Sequence, residues 1–170
     1  MQSQEFLDAV RDQTLALLPD ALRDAQARVH YAMLQIHFGE PRAHYEVWLV
    51  RKTGRIEIGL HFEADRERSH MWAEAIAERS LEVRDALGPD AELEEWTPSW
   101  TRLHLTLPLE TLGASLCGEV AARLAGLIQA TCDYVESIPV RRREYAEGEP
   151  HSRREYWRHR RRRAGSAGAS

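Results

Sequence analysis

The sequence contains a single lysine, two cysteines and no apolar run near the ~18 residues that a membrane-spanning helix requires. Its first residues, MQSQEFLDAV, also lack the basic and then apolar pattern of a secretory signal peptide. These absences predict a soluble protein that stays in the cytoplasm and does not contact membranes.

Motifs that carry well-known chemistry are missing as well. The sequence has no glycine-rich phosphate loop, no Cys-x-x-Cys, no His-Glu-x-x-His and no Gly-x-Ser-x-Gly. Its single lysine, Lys52, falls in a predicted turn and would be hydrated there. A hydrated lysine argues against a Schiff-base enzyme, and against a nuclease centre that pairs a carboxylate with a lysine on a strand. The sequence therefore predicts no cofactor, identifies no catalytic residue and favours a non-catalytic protein.

The two cysteines, Cys117 and Cys132, fall in one predicted helix. At 1.5 Å rise per residue they would be about 22 Å apart, which is beyond the reach of a disulfide bond. Neither cysteine has a basic neighbour that would activate its thiol. We therefore interpret both as packed thiols in a reducing compartment.

Charge divides the chain into two parts. Residues 1–139 hold 13 Arg and Lys against 23 Asp and Glu, a net of −10, whereas residues 140–170 hold 10 Arg against 4 Glu, a net of +6. Beyond Pro139 the apolar periodicity ends, and the chain continues with arginine, glutamate, glycine and serine. The pattern predicts one acidic domain over 1–139 and a disordered, arginine-rich tail over 140–170.

Two helices are predicted at the N-terminus. The first ends at Pro19, and its apolar face consists of Phe6, Val10, Leu17 and Leu18. The second begins near Asp20, and its apolar stripe is Leu22, Ala25 and Val29. Residues 31–38 fit either a helix or a strand, but the alternation of apolar and polar side chains there favours a strand.

A hairpin over residues 44–63 is the clearest predicted element, since two alternating runs flank a short turn that contains Gly54. The remaining predicted elements are a helix over 65–87, strands over 92–96 and 101–107, and a helix over 111–137. Together they predict an α+β fold, in which helices pack on one face of an antiparallel sheet of four or five strands. The residues whose apolar periods converge on one core are Val47, Ile58, Leu60, Trp72, Leu105 and Leu124.

The opposite face of this sheet is predicted to be open and polar. Its residues are His44, Glu46, Trp48, Glu57, His61, Glu63, Arg102, His104 and Thr106. Histidine beside carboxylate is what acid–base catalysis or a divalent-metal site requires. The solvent side of an antiparallel sheet is also polar without any such function, with opposite charges paired across strands. This second interpretation is favoured, with no metal bound.

Two further segments are candidates for binding. Trp96 and Trp100 flank a predicted turn, where an exposed pair would form a protein-interaction loop, although packing against the edge of the core is favoured. The tail offers arginines and aromatics suited to phosphates and bases: Arg153, Arg154, Tyr156, Trp157, Arg158, Arg160, Arg161, Arg162 and Arg163. The alternative is a solvated extension, or one that folds back onto the acidic domain, and this alternative is favoured.

Residues 43–107 resemble an uncharacterised bacterial domain family that sometimes follows nuclease-like modules in defence-associated proteins. The resemblance lies in the hairpin HYEVWLVRKTGRIEIGLHFE, in the helix after it, and in Leu-Glu-Glu-Trp at 93–96 followed by Trp-Thr-Arg-Leu at 100–103. It implies the same antiparallel α+β fold. The family supplies no catalytic residues to carry over, and no nuclease-like segment precedes residue 43 in this chain.

Three functions are compatible with these features. The first, which is favoured, is a non-catalytic binding or regulatory module that engages a protein partner. The second is a small acid–base or metal-dependent enzyme that uses His61, His104, Glu46 and Glu57. The third is an RNA-associated or single-strand-associated protein that acts through its tail. A concave pocket that unites the histidines and glutamates would favour the enzyme.

Overall fold

A computed structural model of the chain describes residues 1–137, and the tail predictions for 140–170 lie outside this range. Its helices are α1 (Ser3–Leu17), α2 (Arg66–Glu78), α3 (Ser80–Leu87) and α4 (Ala114–Ser137). Its strands are β1 (Gln26–His30), β2 (Met33–His37), β3 (Ala43–Val50), β4 (Arg55–Phe62), β5 (Glu92–Glu95) and β6 (Thr101–Pro108).

The strands form one antiparallel sheet in the order β1-β2-β3-β4-β6-β5. The predicted α+β class is therefore confirmed, with six strands in place of four or five. The strand that the sequence did not reveal is β1, because the second predicted helix was wrong. Only a short 3₁₀ turn (Asp20–Leu22) forms there, and the chain then pairs with β2. Residues 31–38 contain a strand, as the alternation predicted.

The period of this segment explains the error. Ala25 and Val29 are four residues apart, which satisfies a helix, but Ala27 and Val29 are two apart, which satisfies a strand equally well. Pairing of Gln26, Arg28 and His30 with β2 gives the short segment backbone partners that an isolated helical turn would lack. The predicted helix over 65–87 is likewise divided, since the backbone leaves helical geometry at Arg79.

Helices α1, α2 and α4 lie against the apolar face of the sheet, and α3 packs against α4. The six residues predicted to form the core are each at most 5% exposed within one cluster. The core prediction is confirmed. Tyr45 of β3 joins the sheet to α4 through a 3.0 Å hydrogen bond with the Thr131 hydroxyl. Because that hydroxyl donates to the Leu127 carbonyl, the tyrosine is the donor. No helix within residues 1–137 is both long and apolar enough to cross a membrane.

Both cysteines belong to this core, as their helical positions predicted. Cys117 and Cys132 are free thiols, each at most 2% exposed. Burial raises the pKa of the Cys117 thiol, because the thiolate would lose its hydration. A raised thiol pKa disfavours a nucleophilic role.

Candidate functional site

Strand alternation and register bring the predicted polar residues together on the face opposite the helices. His44 of β3 lies opposite His61 of β4, which in turn lies opposite Arg102 of β6. The neighbouring row aligns Glu46 and His104 on either side of Gly59. The prediction that these side chains share one surface is therefore confirmed, and we call them the polar cluster: His44, Glu46, Glu57, His61, Arg102 and His104.

The centre of the polar cluster is buried, so the expectation of an open face is wrong there, whereas Glu57 and Arg102 at its margin are half-buried. Glu46 and His61 are at most 1% exposed, and His44 and His104 are at most 8% exposed. The rings cover one another: His44 stacks on His61 at 5.9 Å, and the Trp96 indole packs edge-on against His61 at 5.5 Å. Such burial requires that the charges be paired within the protein.

Glu46 supplies one such pairing. Its Oε1 accepts a 2.8 Å hydrogen bond from the Gln35 amide and a 3.3 Å hydrogen bond from His44 Nε2. The other ring nitrogen of His44 donates to the Pro41 carbonyl at 2.9 Å. Burial opposes the charged ring, but the hydrogen bond and charge of Glu46, with help from Glu63, raise the pKa of His44. Because both ring nitrogens face oxygen acceptors, these contacts favour the protonated ring.

His61 is the most deeply buried histidine of the polar cluster. Its Nε2 lies 3.6 Å from Glu46 Oε2 and 3.8 Å from Glu57 Oε1. Gly59 makes room for this ring, since a Cβ atom at that position would be 3.0 Å from His61 Nε2 and 3.1 Å from the Cβ of His104. His61 Nε2 therefore lies within 4 Å of two carboxylate oxygens in a fully buried position.

Arg102 joins the rest of the polar cluster to the edge strand β5. It donates to Glu57 at 2.6 Å and to Glu94 at 2.7 Å, and its guanidinium lies 5.3 Å from the centre of the Trp96 ring. Burial opposes ionisation of Glu94, but the Arg102 hydrogen bond lowers the pKa of that carboxyl. Burial and the Arg102 charge together lower the pKa of His104, whose Nε2 is 3.1 Å from Glu94.

The remaining predicted residues surround this arrangement. Trp100 is 5% exposed and lies 5.9 Å from Trp96, so the predicted interaction loop packs over the polar cluster. The Thr97 hydroxyl shapes this turn by accepting the N–H of Trp100 at 2.8 Å. Trp48 and Glu63 lie on the same face and are half-buried. Within residues 1–137, no three His, Cys, Asp or Glu side chains are arranged to hold a metal ion.

A groove of about 380 Å³ opens on the same face, beside the polar cluster, where β1, β2 and the start of β3 meet. It is lined by Gln26, Ala27, Arg28, Gln35, His37, Pro41 and His44. We call it the β1 groove. Sequence reasoning included only His44 among its candidates, because residues 26–30 were assigned to a helix and His37 had no suggestive spacing. Recognising β1 as a strand would have aligned Arg28 with Gln35 and Glu46.

Comparison with known proteins adds no relative. No protein-family model matches the chain, and neither a curated protein nor a solved structure matches it. The resemblance of residues 43–107 to the bacterial domain family therefore stays a prediction.

Proposed function

We propose that this protein is a non-catalytic binding module that accepts an extended segment of a partner protein along the outer edge of β1, where no strand within residues 1–137 pairs. The observation that carries the proposal is the position of β1, which is an edge strand and also forms one wall of the β1 groove. Strand addition of this kind obtains affinity from backbone hydrogen bonds and specificity from pockets for alternate side chains.

The hydrogen-bond pattern identifies the backbone groups that such a segment would meet. Leu49 donates its N–H to the Ala32 carbonyl at 2.9 Å, so residues of β2 alternate between pairing with β3 and pairing with β1. By register, the β1 residues bonded to β2 are Gln26, Arg28 and His30. The N–H and C=O groups of Ala27 and Val29 therefore point away from the sheet.

The two edges of the sheet differ in how they are protected. The four residues of β5 include Glu92, Glu94 and Glu95, and a charged edge of this kind resists pairing with another strand. The sequence of β1 is QARVH, which has one permanent charge and no proline. The β1 edge is therefore the one suited to strand addition.

An exposed aromatic residue stands at the end of this edge. Tyr31, in the turn between β1 and β2, is 82% exposed and has a φ of 53°, a left-handed conformation that non-glycine residues seldom adopt. Its ring contacts His30 at 4.2 Å between centroids. Tyrosine is enriched at protein interfaces, so Tyr31 would anchor the end of a bound segment.

The acid–base enzyme is less well supported. Of its four candidate groups, His61, His104 and Glu46 are buried, and Glu57 is half-buried and paired with Arg102. Catalysis would require a substrate to approach them, and the β1 groove that opens nearby contains none of these four side chains. We interpret the polar cluster as the rigid support beneath the binding surface.

A peptide selection tests the proposal. Random peptides of about ten residues, displayed on phage, are selected on the full-length chain, and enriched peptides are measured by calorimetry. The variant Ala27→Pro removes an outward N–H without touching the bonds between β1 and β2, and should weaken binding at least about tenfold. Ala27→Val keeps the N–H and should bind as the original chain does.

Hydrogen exchange gives a second measurement on the same complexes. The amides of Ala27 and Val29 should become protected when peptide binds, while amides on β5 should not change. Equal binding to the proline variant, or protection confined to other strands, would contradict the proposal. So would a stable dimer in light scattering that the proline variant abolishes, because a second copy would then occupy the edge.

A further inference from the structure

The β1 groove lacks acidic side chains in an otherwise acidic domain. None of its seven lining residues is Asp or Glu, although residues 1–139 carry 23 of them. Two carboxylates that neighbour its lining residues are already bound: Glu40 is held by Arg42 at 2.8 and 2.9 Å, and Glu46 by Gln35 and His44. The groove therefore presents hydrogen-bond donors and positive charge without a competing acid on its walls.

Arg28 is the exposed cation of the groove. One of its amino groups donates to the Gln35 amide oxygen at 3.2 Å, and Gln35 in turn donates to Glu46. A guanidinium has five N–H donors in a planar fork, so this single bond orients Arg28 and leaves donors that face the groove. That fork matches the two oxygens of a carboxylate.

His37 lies beside Arg28 and contributes a group that can gain a proton. Its Nδ1 is buried and makes no hydrogen bond to any residue within 1–137. Burial first, and then the positive charges of His44 and Arg28, lower the pKa of His37, while Glu40 opposes them. The ring is therefore neutral near pH 7, between two cationic neighbours.

We propose that the β1 groove binds the carboxylate of an acidic side chain carried by the segment that pairs with β1. This inference rests on the proposed function and specifies the partner's chemistry. The volume of about 380 Å³ falls within the usual range for small-ligand pockets and accommodates one such side chain. A single exposed guanidinium flanked by amides suits a monoanionic carboxylate better than a phosphate, which usually meets several cations or backbone N–H groups.

The arrangement couples binding to protonation. A carboxylate in the groove offsets the charges of Arg28 and His44, so the pKa of His37 rises when the site is filled. Binding should therefore take up a proton, and affinity should increase as the pH falls below about 6.5. The charged groups around the ring are Arg28 from β1, His44 and Glu46 from β3, and Glu40 from the loop between β2 and β3.

Two matched probes test the inference on the full-length chain. One is a blocked peptide of about ten residues that alternates threonine and valine and carries a central glutamate, and the other has glutamine in its place. The glutamate peptide should bind about tenfold or more tightly than the glutamine peptide. Arg28→Gln should remove this preference, whereas Arg55→Gln removes a positive charge from the same face, far from the groove, and should preserve it.

The pH series uses the same peptides between about pH 5.5 and about pH 8. Affinity for the glutamate peptide should rise at least about threefold towards acid, affinity for the glutamine peptide should stay constant, and His37→Gln should flatten the first curve. Equal binding of the two peptides would overturn the carboxylate inference while leaving strand addition intact. Inorganic phosphate that competes more strongly than free glutarate would overturn it as well.

Free glutarate separates this inference from the proposed function. Glutarate that binds with dependence on Arg28 and His37, while neither peptide binds, would support the carboxylate site and contradict strand addition. Glutarate binding that is unaffected by Arg28→Gln would overturn the site.

Discussion

Gly59 leaves the space into which a neighbouring histidine ring packs. It lies at the centre of the polar face, between Glu46 and His104 on neighbouring strands, and the His61 ring occupies the space that a side chain would take. From the sequence, a glycine inside a strand indicates a weak point or a close approach. The distances show that here it is a close approach, since the ring nitrogen would lie 3.0 Å from a Cβ atom.

We predict that Gly59→Ala lowers the free energy of unfolding by about 1–3 kcal/mol, because the buried rings of His61 and His104 must move to admit a methyl group. Chemical denaturation measures the change, and the ring-proton shifts of His61 report the movement. Gly126→Ala is the matched control: it lies in α4 with no atom within 4 Å of a new Cβ, and should stabilise by about 0.5–1 kcal/mol. An unchanged His61 spectrum in Gly59→Ala would contradict the packing argument.

His44 should give stability a pH dependence of defined sign. Its pKa is raised in the folded protein, so its stabilising contribution is complete below the unfolded value of about 6.5 and is lost as the pH rises through the folded pKa. We predict that His44→Gln destabilises more at about pH 6 than at about pH 8.5. Denaturant unfolding at the two pH values measures this. A constant difference would mean that His44 does not carry the extra proton.

His104 should give stability the opposite pH dependence. Its pKa is lowered by burial and by Arg102, so folding opposes its protonation and stability falls as the pH drops below about 6.5. Replacing His104 with Gln should therefore flatten the acid side of the stability profile. Unfolding curves from about pH 5 to about pH 7.5 test the prediction, and a steeper acid loss in the variant would contradict it.

The sequence predicted which residues form the polar cluster but not that most of them are buried. The strand period alone predicts that His61 and Glu46 lie on one face. His61 is covered by Trp96, which packs against it from a hairpin turn, and the path of that turn is not encoded in any local period. Arg28 and His37 were missed for a different reason, since their neighbourhood exists only once β1 pairs with β2.

At the scale of elements, the strongly periodic segments were predictable and the short ones were not. The hairpin of β3 and β4 has alternation over eight residues in each strand, and α4 has an apolar stripe over 24 residues. β1 has five residues, too few to distinguish a strand from a helix by period alone. Whether such a segment becomes a strand or a helix depends on its pairing with β2, which its own five residues do not specify.

The sheet and α4 depend on each other through the residues between them. Leu60 is fully buried in β4, and we predict that Leu60→Ala lowers the free energy of unfolding by about 2–5 kcal/mol. Leu81→Ala makes the same chemical change in α3, where Leu81 is 82% exposed, and should stay within about 0.5 kcal/mol of the original. Similar values for the two variants would show that the apolar face of the sheet is not the core.

At the scale of the whole chain, charge separates the acidic domain from the basic residues 140–170. We predict that removing residues 140–170 leaves the melting temperature nearly unchanged, because their sequence has no apolar stripe to bury. Full-length protein should bind single-stranded RNA weakly, with a log–log salt slope of about 0.7 for each phosphate neutralised. Removal of the basic residues should abolish this binding.

Calorimetric melting and an RNA titration across a salt series measure both effects. A melting temperature lowered by several degrees would show that the domain extends past Pro139. Binding that is absent even at low salt, or insensitive to salt, would eliminate the nucleic-acid function.

The order of elements along the chain has a consequence for synthesis. α4 is the last described element to be made, yet it covers β3 and β4 and packs against α1. At roughly 5–20 residues per second, its 24 residues take about 1–5 s to synthesise. During that time the ribosome holds a sheet whose apolar face is incompletely covered. We expect the nascent chain to be most prone to chaperone capture, or to association with its neighbours on a polysome, in this interval.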